Sequence, residues 1–344
     1  MKKQLLTLAT IVSIAFGANA QTDSTSTPLE ISGSVDAYYK YDFAKTANIP
    51  TYFDSDQNSV SLGMIDVALK KKTGKASFVG ELSFGPRGQY QSILNGDGSA
   101  SNESNSFHIQ NLYASYAFTD KFSMTAGFMG TFIGYEVISP VANFNYSTSY
   151  LFGWGPFQNA GIKANYTFSD KVGVMVGLFN DSWNTYTADP AFGVNAFGAQ
   201  VSVTPVEGWT AYANVLTGSE CGTIFDLTTS YQITEKFALG LNAADFDDDD
   251  PAISTSYSGV ALYPKYNFSD AVALGLRGEY FKVKDGGPQI TAFTLSANLK
   301  HGGLTFIPEV RLDNSDEDTF GFVKSNGTPT KSASQFSLAL VYAF

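Results

Sequence analysis

Nine charged residues stand at alternate positions in runs whose other positions are mostly apolar or uncharged, and together they carry both signs. The set is Asp36, Lys40, Glu81, Arg87, Lys163, Arg277, Glu279, Glu309 and Arg311. Fixed charges along the wall of an aqueous passage act on the charge of a solute that moves through it. Side chains of opposite sign can also pair with each other and simply stabilise the wall. The sequence leaves both interpretations open.

A second candidate set belongs to a long segment without charge, residues 139–157, which is rich in Asn, Ser, Tyr and Phe. A predicted strand ending in Gly134-Tyr135-Glu136 precedes it. Amides, hydroxyls and aromatic faces suit sugars and other neutral polar solutes. We expect this loop to fold inward, narrow a passage and present these groups to it; the alternative is a cap on the outer surface. The constriction set is Glu136, Asn143, Asn145, Tyr146, Tyr150 and Trp154.

The other reactive side chains form no recognisable catalytic or metal-binding pattern. His108 and His301 fall near opposite ends of their predicted strands, so they cannot serve one hydrolase site, which needs a histidine beside the nucleophile. The aspartates at 245 and 247–250 lack the spacing of a calcium-binding loop and indicate a solvated charge run. Cys221 stands alone, so no internal disulfide can form. We therefore expect no cofactor, no metal and no enzymatic activity.

Composition limits the class of partner. The chain has 344 residues and a net charge of −11, so it offers no basic stripe for nucleic acid. Charged residues make up 15% of the chain, against the ~25% usual for globular domains. Mean hydropathy is −0.06. Strands that are apolar on one face only reach such a value even when they cross a membrane.

Strict alternation predicts the elements that position the candidate residues. In the segment 31–43, Ile31, Val35 and Ala37 share one face, while Asp36 and Lys40 share the other. Period-two alternation over more than ten residues indicates a strand with a different solvent on each face. Its length suits a tilted membrane strand of ~9–11 residues better than a globular one.

Connections between these runs are alternately short and long, which gives the strand count. Seven short turns are predicted at 73–75, 119–121, 169–171, 206–208, 234–236, 269–271 and 301–303. Eight longer segments are predicted near 44–58, 88–105, 139–157, 184–191, 219–222, 247–252, 285–288 and 314–331. Fifteen alternating connections join sixteen strands. The pattern predicts an all-β, transmembrane, antiparallel up-and-down barrel with short periplasmic turns and longer extracellular loops.

A barrel of sixteen strands is too wide for side chains to fill, so its inward faces become the wall of an aqueous channel. Aromatic pairs precede three of the short turns, where an interfacial girdle belongs. They are Tyr116/Phe118, Tyr166/Phe168 and Tyr266/Phe268. Pro264 and Pro308 fall inside predicted strands, where we expect bulges.

The two ends of the chain predict the compartment. Lysines at positions 2 and 3, an apolar run and Ala18-Asn19-Ala20 are typical of a secretory signal peptide over residues 1–20. A polar segment, 21–28, is expected to be a flexible periplasmic lead-in, and 29–344 the barrel. The last strand ends in Phe344 and is similar to the signal that the barrel assembly machinery reads. We expect export to the outer membrane of a Gram-negative bacterium.

Several short motifs resemble the OmpL-like β-barrel porins of the porin-2 family. They are the run 33–39 (GSVDAYY), Gly134-Tyr135-Glu136, the run 145–147, the run 149–152, Pro156-Phe157 and Gly161. The resemblance implies a pore-forming barrel without naming a solute. We expect passive diffusion of small hydrophilic solutes, contact with outer-membrane lipid and a homo-oligomer. The alternatives are an adhesion or structural barrel with a blocked lumen and, less favoured, an outer-membrane hydrolase.

Overall fold

The computed structural model describes residues 26–50, 52–85, 107–248 and 256–344. The predicted signal peptide and Arg87 lie outside these ranges. Within them, no helix is both long enough and apolar enough to cross a membrane. Of the predicted lead-in, Ser26 and Thr27 are paired with the barrel: Ser26 forms a β-bridge with Thr73, and the Thr27 N–H donates to the Lys72 carbonyl at 3.1 Å. At these two residues the expected flexible segment is held in place.

The chain folds into one closed barrel of sixteen antiparallel strands, in which β1 pairs with β16. The predicted up-and-down transmembrane barrel is confirmed. The strands are β1 (Glu30–Asp42), β2 (Ser59–Thr73), β3 (Ala76–Phe84), β4 (Phe107–Ala117), β5 (Phe122–Gly130), β6 (Gln158–Ser169), β7 (Val172–Phe179), β8 (Ala196–Val203), β9 (Trp209–Gly218), β10 (Gly222–Gln232), β11 (Phe237–Asp247), β12 (Tyr257–Asn267), β13 (Val272–Val283), β14 (Gln289–His301), β15 (Leu304–Ser315) and β16 (Ser332–Ala343).

All seven predicted short turns connect the strands at one rim, and the longer loops lie at the other. One boundary was wrong. β5 ends at Gly130, so the third outer loop, here L3, spans 131–157 and begins before Gly134-Tyr135-Glu136. Gly134 has a φ of 87°, a left-handed conformation that glycine adopts without strain and that interrupts a strand. L3 contains a short helix, α1 (Tyr150–Trp154).

The outer face of the barrel is apolar and exposed, as lipid contact requires; Val60 and Leu62 are 82% and 70% exposed. The three aromatic pairs at the short-turn rim repeat one geometry. In each, the ring centroids are 4.9 Å apart and the rings meet edge to face at 67–69°. This repetition around the rim agrees with the predicted interfacial girdle.

Two prolines inside strands leave gaps in the ladder instead of the expected bulges. They are Pro264 in β12 and Pro308 in β15. At Pro264 the pairing with β13 stops after Leu262–Gly278 and resumes at Lys265–Gly275 in the same register. A proline has no N–H to donate, so the ladder loses bonds on that side while the neighbouring pairs keep the strands aligned.

The hydrophobic core lies inside the barrel, between L3 and the wall. Phe132, Ile133 and Leu151 of L3 pack with inward residues such as Phe179 and Phe281, and these side chains are buried. Smaller clusters join L3 to β1 and β15 through Tyr146 and to the first outer loop through Phe152. L3 therefore fills part of the lumen in the way that a core fills a globular protein.

Candidate functional site

The third outer loop crosses the lumen, and its residues 144–151 are bound by the inner faces of β13, β14 and β15. Earlier in the loop, the Gly134 N–H donates to Asp226 of β10 at 3.1 Å. The contact segment, residues 145–151, is buried throughout. At its start the Asn145 amide donates to the Ser296 hydroxyl at 2.7 Å, and the preceding carbonyl, of Phe144, accepts from Asn298 at 2.9 Å. The wall recognises this segment mainly through its backbone, because most polar partners of the wall's ionised groups are peptide N–H and C=O groups.

Two glutamates of the wall each bind two consecutive N–H groups of L3. Glu309 accepts from the N–H groups of Tyr146 and Ser147 at 2.7 and 3.0 Å, and also from the Ser147 hydroxyl. Glu279 accepts from Tyr150 and Leu151 at 3.0 and 2.9 Å. Hydrogen bonds to an ionised acceptor are roughly twice as strong as neutral ones. These carboxylates satisfy backbone N–H groups of L3 that are not paired with another strand.

Two arginines bind the carbonyl groups that lie between those N–H pairs. Arg277 donates to the Ser147 carbonyl at 2.6 Å and forms an ion pair with Glu136 at 2.7 Å. Arg311 donates to the Thr148 carbonyl at 2.7 Å and pairs with its strand neighbour Asp313 at 2.8 Å. Both guanidinium groups are buried. Because each has a carboxylate and a carbonyl, burial does not leave the charge unpartnered.

Two tyrosine hydroxyls extend the attachment to other carboxylates. Tyr146 donates to Asp36 of β1 at 2.6 Å, and Tyr150 donates to Asp313 at 2.5 Å. Burial, together with the Asp313 carboxylate, raises the pKa of the Tyr150 hydroxyl well above its ordinary value. The hydroxyl therefore stays protonated and keeps its role as a donor at any physiological pH.

The capping residue of helix α1, Ser149, is bound by Glu136, another residue of L3. Ser149 accepts a hydrogen bond from the Phe152 N–H at 3.0 Å, the usual arrangement at an N-cap. The Ser149 hydroxyl and N–H both donate to Glu136, at 2.6 and 2.7 Å. Trp154 at the other end packs on Tyr257 and Phe281. Glu136 thus joins the start of α1 to Arg277.

Six of the nine residues predicted to line the pore are instead buried beneath loops. They are Asp36, Lys40, Arg277, Glu279, Glu309 and Arg311. Lys40 donates to the Asp54 carbonyl of the first outer loop at 2.7 Å, and the other five bind L3. Of the two interpretations that the sequence left open, burial favours the stabilising one for these six, because a loop that folds inward supplies partners to the wall charges that it covers. Glu81 and Lys163 are part-exposed on the uncovered wall.

The predicted constriction residues occupy L3, but most of them face the wall and not the passage. Glu136, Asn145, Tyr146 and Tyr150 are buried in the contacts above. Asn143 is part-exposed, and its side chain bonds the backbone of Val137. Trp154 is part-buried in the apolar cluster. Three of the buried side chains bind wall groups: Asn145 binds Ser296, Tyr146 binds Asp36 and Tyr150 binds Asp313. Contact between this loop and a solute stays a prediction.

A polar wall lies across the lumen from β13 to β15, on β3 to β6 and β8 to β10, and is called the uncovered wall here. The pattern of charged residues in the sequence did not predict it. Several inward side chains of these strands are buried, among them Leu216, Ile224 and Asp226. The inward side chains that retain exposure are uncharged, apart from Glu81 and Lys163. They include Asn111, Tyr113, Ser115, Ser123, Asn165, Gln200, Ser202, Tyr212 and Ser230. Strand alternation already placed these residues inward. Sequence alone did not show that they, and not the charged residues, keep contact with water.

The acidic segment near 245–250 is only partly described. Asp245 and Asp247 accept from Lys284 at 2.8 and 2.7 Å. Hydrogen bonds to these two carboxylates outweigh the small effect of burial and raise the pKa of Lys284. Within the described ranges, no group of three or more His, Cys, Asp or Glu side chains could hold a metal ion.

These features define the class: a sixteen-stranded outer-membrane barrel with its third outer loop folded into the lumen is a porin. The family model described as "Putative beta-barrel porin-2, OmpL-like" matches residues 28–344, and the chain belongs to that family. The family match does not favour the hydrolase alternative. No curated protein sequence matches the chain.

Solved structures resemble this chain in fold at low identity. An anion-selective porin from Comamonas acidovorans is 11% identical with a TM-score of 0.64, over 93% of this chain and 100% of that one. The trimer form of OmpT, an outer membrane protein of Vibrio cholerae, is 13% identical with a TM-score of 0.58, over 94% and 100%. A mutant of the porin of Rh. blastica is 14% identical with a TM-score of 0.56, over 92% and 100%.

Proposed function

We propose that this porin conducts small hydrophilic solutes passively along the polar wall that L3 leaves uncovered. One observation carries the proposal: inward side chains of β13 to β15 are buried, whereas a set of polar inward side chains on β3 to β6 and β8 to β10 keeps exposure. Hydroxyl, amide and tyrosine groups dominate the uncovered wall. Such a surface exchanges hydrogen bonds with neutral polar solutes without holding them tightly, which a diffusion pore requires.

The size limit of the pore is set, in this proposal, by the attachment of L3. The loop is held by buried ion pairs and by carboxylates that each bind two N–H groups. Thermal motion of a loop with so many satisfied buried contacts is small. Its position therefore fixes a narrow passage of constant width, which small sugars and amino acids pass and larger oligosaccharides do not.

Conductance and solute uptake test the proposal together. The refolded protein is inserted into planar bilayers and into liposomes, and swelling rates are measured with sugars of increasing size. We expect stable single-channel conductance and swelling that falls steeply from monosaccharides to trisaccharides. A barrel that inserts with native heat-modifiability on gels, yet passes neither ions nor monosaccharides, overturns the proposal.

That negative result would favour an adhesion or structural barrel. The observation in favour of this second candidate is the apolar cluster between L3 and the wall, which fills part of the lumen. Such a barrel keeps its outer-loop contacts with a partner while passing no solute. Deleting an outer loop other than L3 would then abolish partner binding and leave uptake at its blank value.

Biogenesis and assembly form the finer part of the proposal. We infer that residues 1–20 direct export and are removed, and that the final strand ending in Phe344 is read by the barrel assembly machinery. OmpT of Vibrio cholerae has a trimer form, which supports testing a homo-oligomer here. Mass spectrometry of the mature N-terminus tests removal of residues 1–20, and chemical cross-linking in membranes tests the homo-oligomer.

A further inference from the structure

The inner wall of β1, β2 and β3 contains a cluster of oxygen atoms that lacks the donors found elsewhere in the barrel. Ser34, Asp66 and Glu81 lie on these three neighbouring strands, all facing inward. Ser34 is directly opposite Asp66 across the β1–β2 ladder. Glu81 of β3 is opposite Ala68, one inward position from Asp66. The carboxylates of Asp66 and Glu81 are close enough to interact electrostatically.

Asp66 differs from the other buried carboxylates of the described strands. The others are Asp36, Asp42, Asp226, Glu279, Glu309 and Asp313. Each of these six carboxylates accepts at least two hydrogen bonds from protein donors. Asp66 is 7% exposed, and its Oδ1 has no hydrogen-bond partner. The facing Ser34 hydroxyl, 1% exposed, has none either. A buried polar atom in a native wall needs a hydrogen-bonding or ionic partner, and an ordered water or an ion can supply it.

The neighbouring groups do not neutralise this cluster. Glu81 accepts from the Asn111 amide at 2.5 Å, and this bond carries no positive charge. Lys70 attracts Asp66 electrostatically but forms no ion pair with it among the described residues. Tyr113 faces Glu81 from β4 and adds no cation. Two adjacent carboxylates repel each other unless a cation or a shared proton lies between them.

We propose that Ser34, Asp66 and Glu81 form a binding site for a divalent cation in the lumen wall. Carboxylate and hydroxyl oxygens are the ligands that Ca²⁺ and Mg²⁺ prefer. The site provides two carboxylates, and Glu81 remains part-exposed to the lumen, so water completes the coordination shell. Binding is therefore weak and reversible, with a dissociation constant on the order of 1 mM, as at weak calcium sites. An occupied site neutralises the charge of the Asp66 and Glu81 carboxylates.

Calcium titration of the refolded barrel tests the site. Reversal potentials are measured in planar bilayers under a KCl gradient while CaCl₂ is raised from zero to 20 mM. The wild type is expected to lose at least half of its K⁺ over Cl⁻ preference, with a midpoint on the order of 1 mM. The double variant Asp66→Asn, Glu81→Gln should start at the lower preference and show no such midpoint. Glu220→Gln, on the short outer loop between β9 and β10, should respond like the wild type.

This inference extends the proposed function but depends on it only for the electrical readout. Isothermal titration of CaCl₂ into the protein in detergent micelles tests binding even if the barrel conducts nothing, so the two failures are distinguishable. A wild type that neither binds Ca²⁺ nor changes selectivity overturns the site. So does a wild type whose selectivity changes with pH but not with Ca²⁺, because the pair then shares a proton. Equal Ca²⁺ responses in the wild type and the double variant also overturn it.

Discussion

Two walls of the same barrel carry similar charged side chains and use them differently. On β13 and β15, Arg277, Glu279, Glu309 and Arg311 are covered by L3, and each of them forms hydrogen bonds with that loop. On β2 and β3, Asp66 and Glu81 have few donors, and no loop segment binds them among the described contacts. The sheet geometry is the same in both places. A charged side chain covered by L3 holds that loop in place, whereas one that no loop covers remains available to bind an ion.

The largest effect is expected from substituting Arg277, the arginine that joins L3 to β13. Arg277→Met should cost about 3–5 kcal/mol of the free energy that holds L3, because Glu136 is left buried without its partner. We expect noisier channels of higher conductance and uptake of larger sugars, measured by single-channel recording and liposome swelling.

Arg277→Lys is the matched control, since it keeps the charge but cannot serve the carboxylate and the carbonyl in the same planar geometry. Its effect should fall between the wild type and Arg277→Met. An unchanged size limit in Arg277→Met would show that L3 is held without this residue.

The same substitution on each wall sharpens the contrast. Glu309→Gln removes an ionised acceptor from two N–H groups of L3 and should cost about 2–3 kcal/mol. Glu81→Gln keeps an acceptor for Asn111 and relieves repulsion with Asp66, so stability should stay the same or rise. Urea unfolding in lipid vesicles, followed by tryptophan fluorescence, gives both values. Equal losses in the two variants would contradict the proposed difference between the walls.

A pair of glycines tests the link between L3 and β1. A Cβ built on Gly63 would lie 1.8 Å from the Asp36 carboxylate, which binds the Met64 N–H and the Tyr146 hydroxyl. Gly63→Ala should therefore cost about 1–3 kcal/mol through overpacking. Gly80→Ala is the control, because nothing lies within 4 Å of the added carbon. Heat-modifiability on gels should show a lower unfolding temperature for the first variant only.

The smallest effect is expected where an ion pair remains in water. The Lys284 side chain is 23% exposed and its partners Asp245 and Asp247 are 54% and 64% exposed, against 0% and 4% for Arg277 and Glu136. Lys284→Met should change the unfolding free energy by about 0–1 kcal/mol. A loss in urea unfolding as large as that of Arg277→Met would mean that burial is not what separates the two kinds of ion pair.

Sequence reasoning succeeded where the signal is local. Alternation across 31–43 placed Asp36 and Lys40 inward, and all seven short turns were located because turn residues interrupt each apolar run. The end of β5 was misplaced, since Gly134-Tyr135-Glu136 continues an aromatic pattern that in three dimensions belongs to L3. The two prolines were expected to cause bulges, yet the neighbouring pairs hold the register without them.

The sequence by itself determined the barrel: the strand count, the rim to which each connection belongs, the apolar outer face and the inward position of the candidate charges on the described strands. Each of these follows from spacing between residues near in the chain. Only the tertiary structure decided which inward charges meet water. Glu309 binds Tyr146 and Arg277 binds Glu136 across more than a hundred residues, and no periodic pattern encodes such pairings. The physical reason is that a buried loop backbone must find partners on the wall it happens to face.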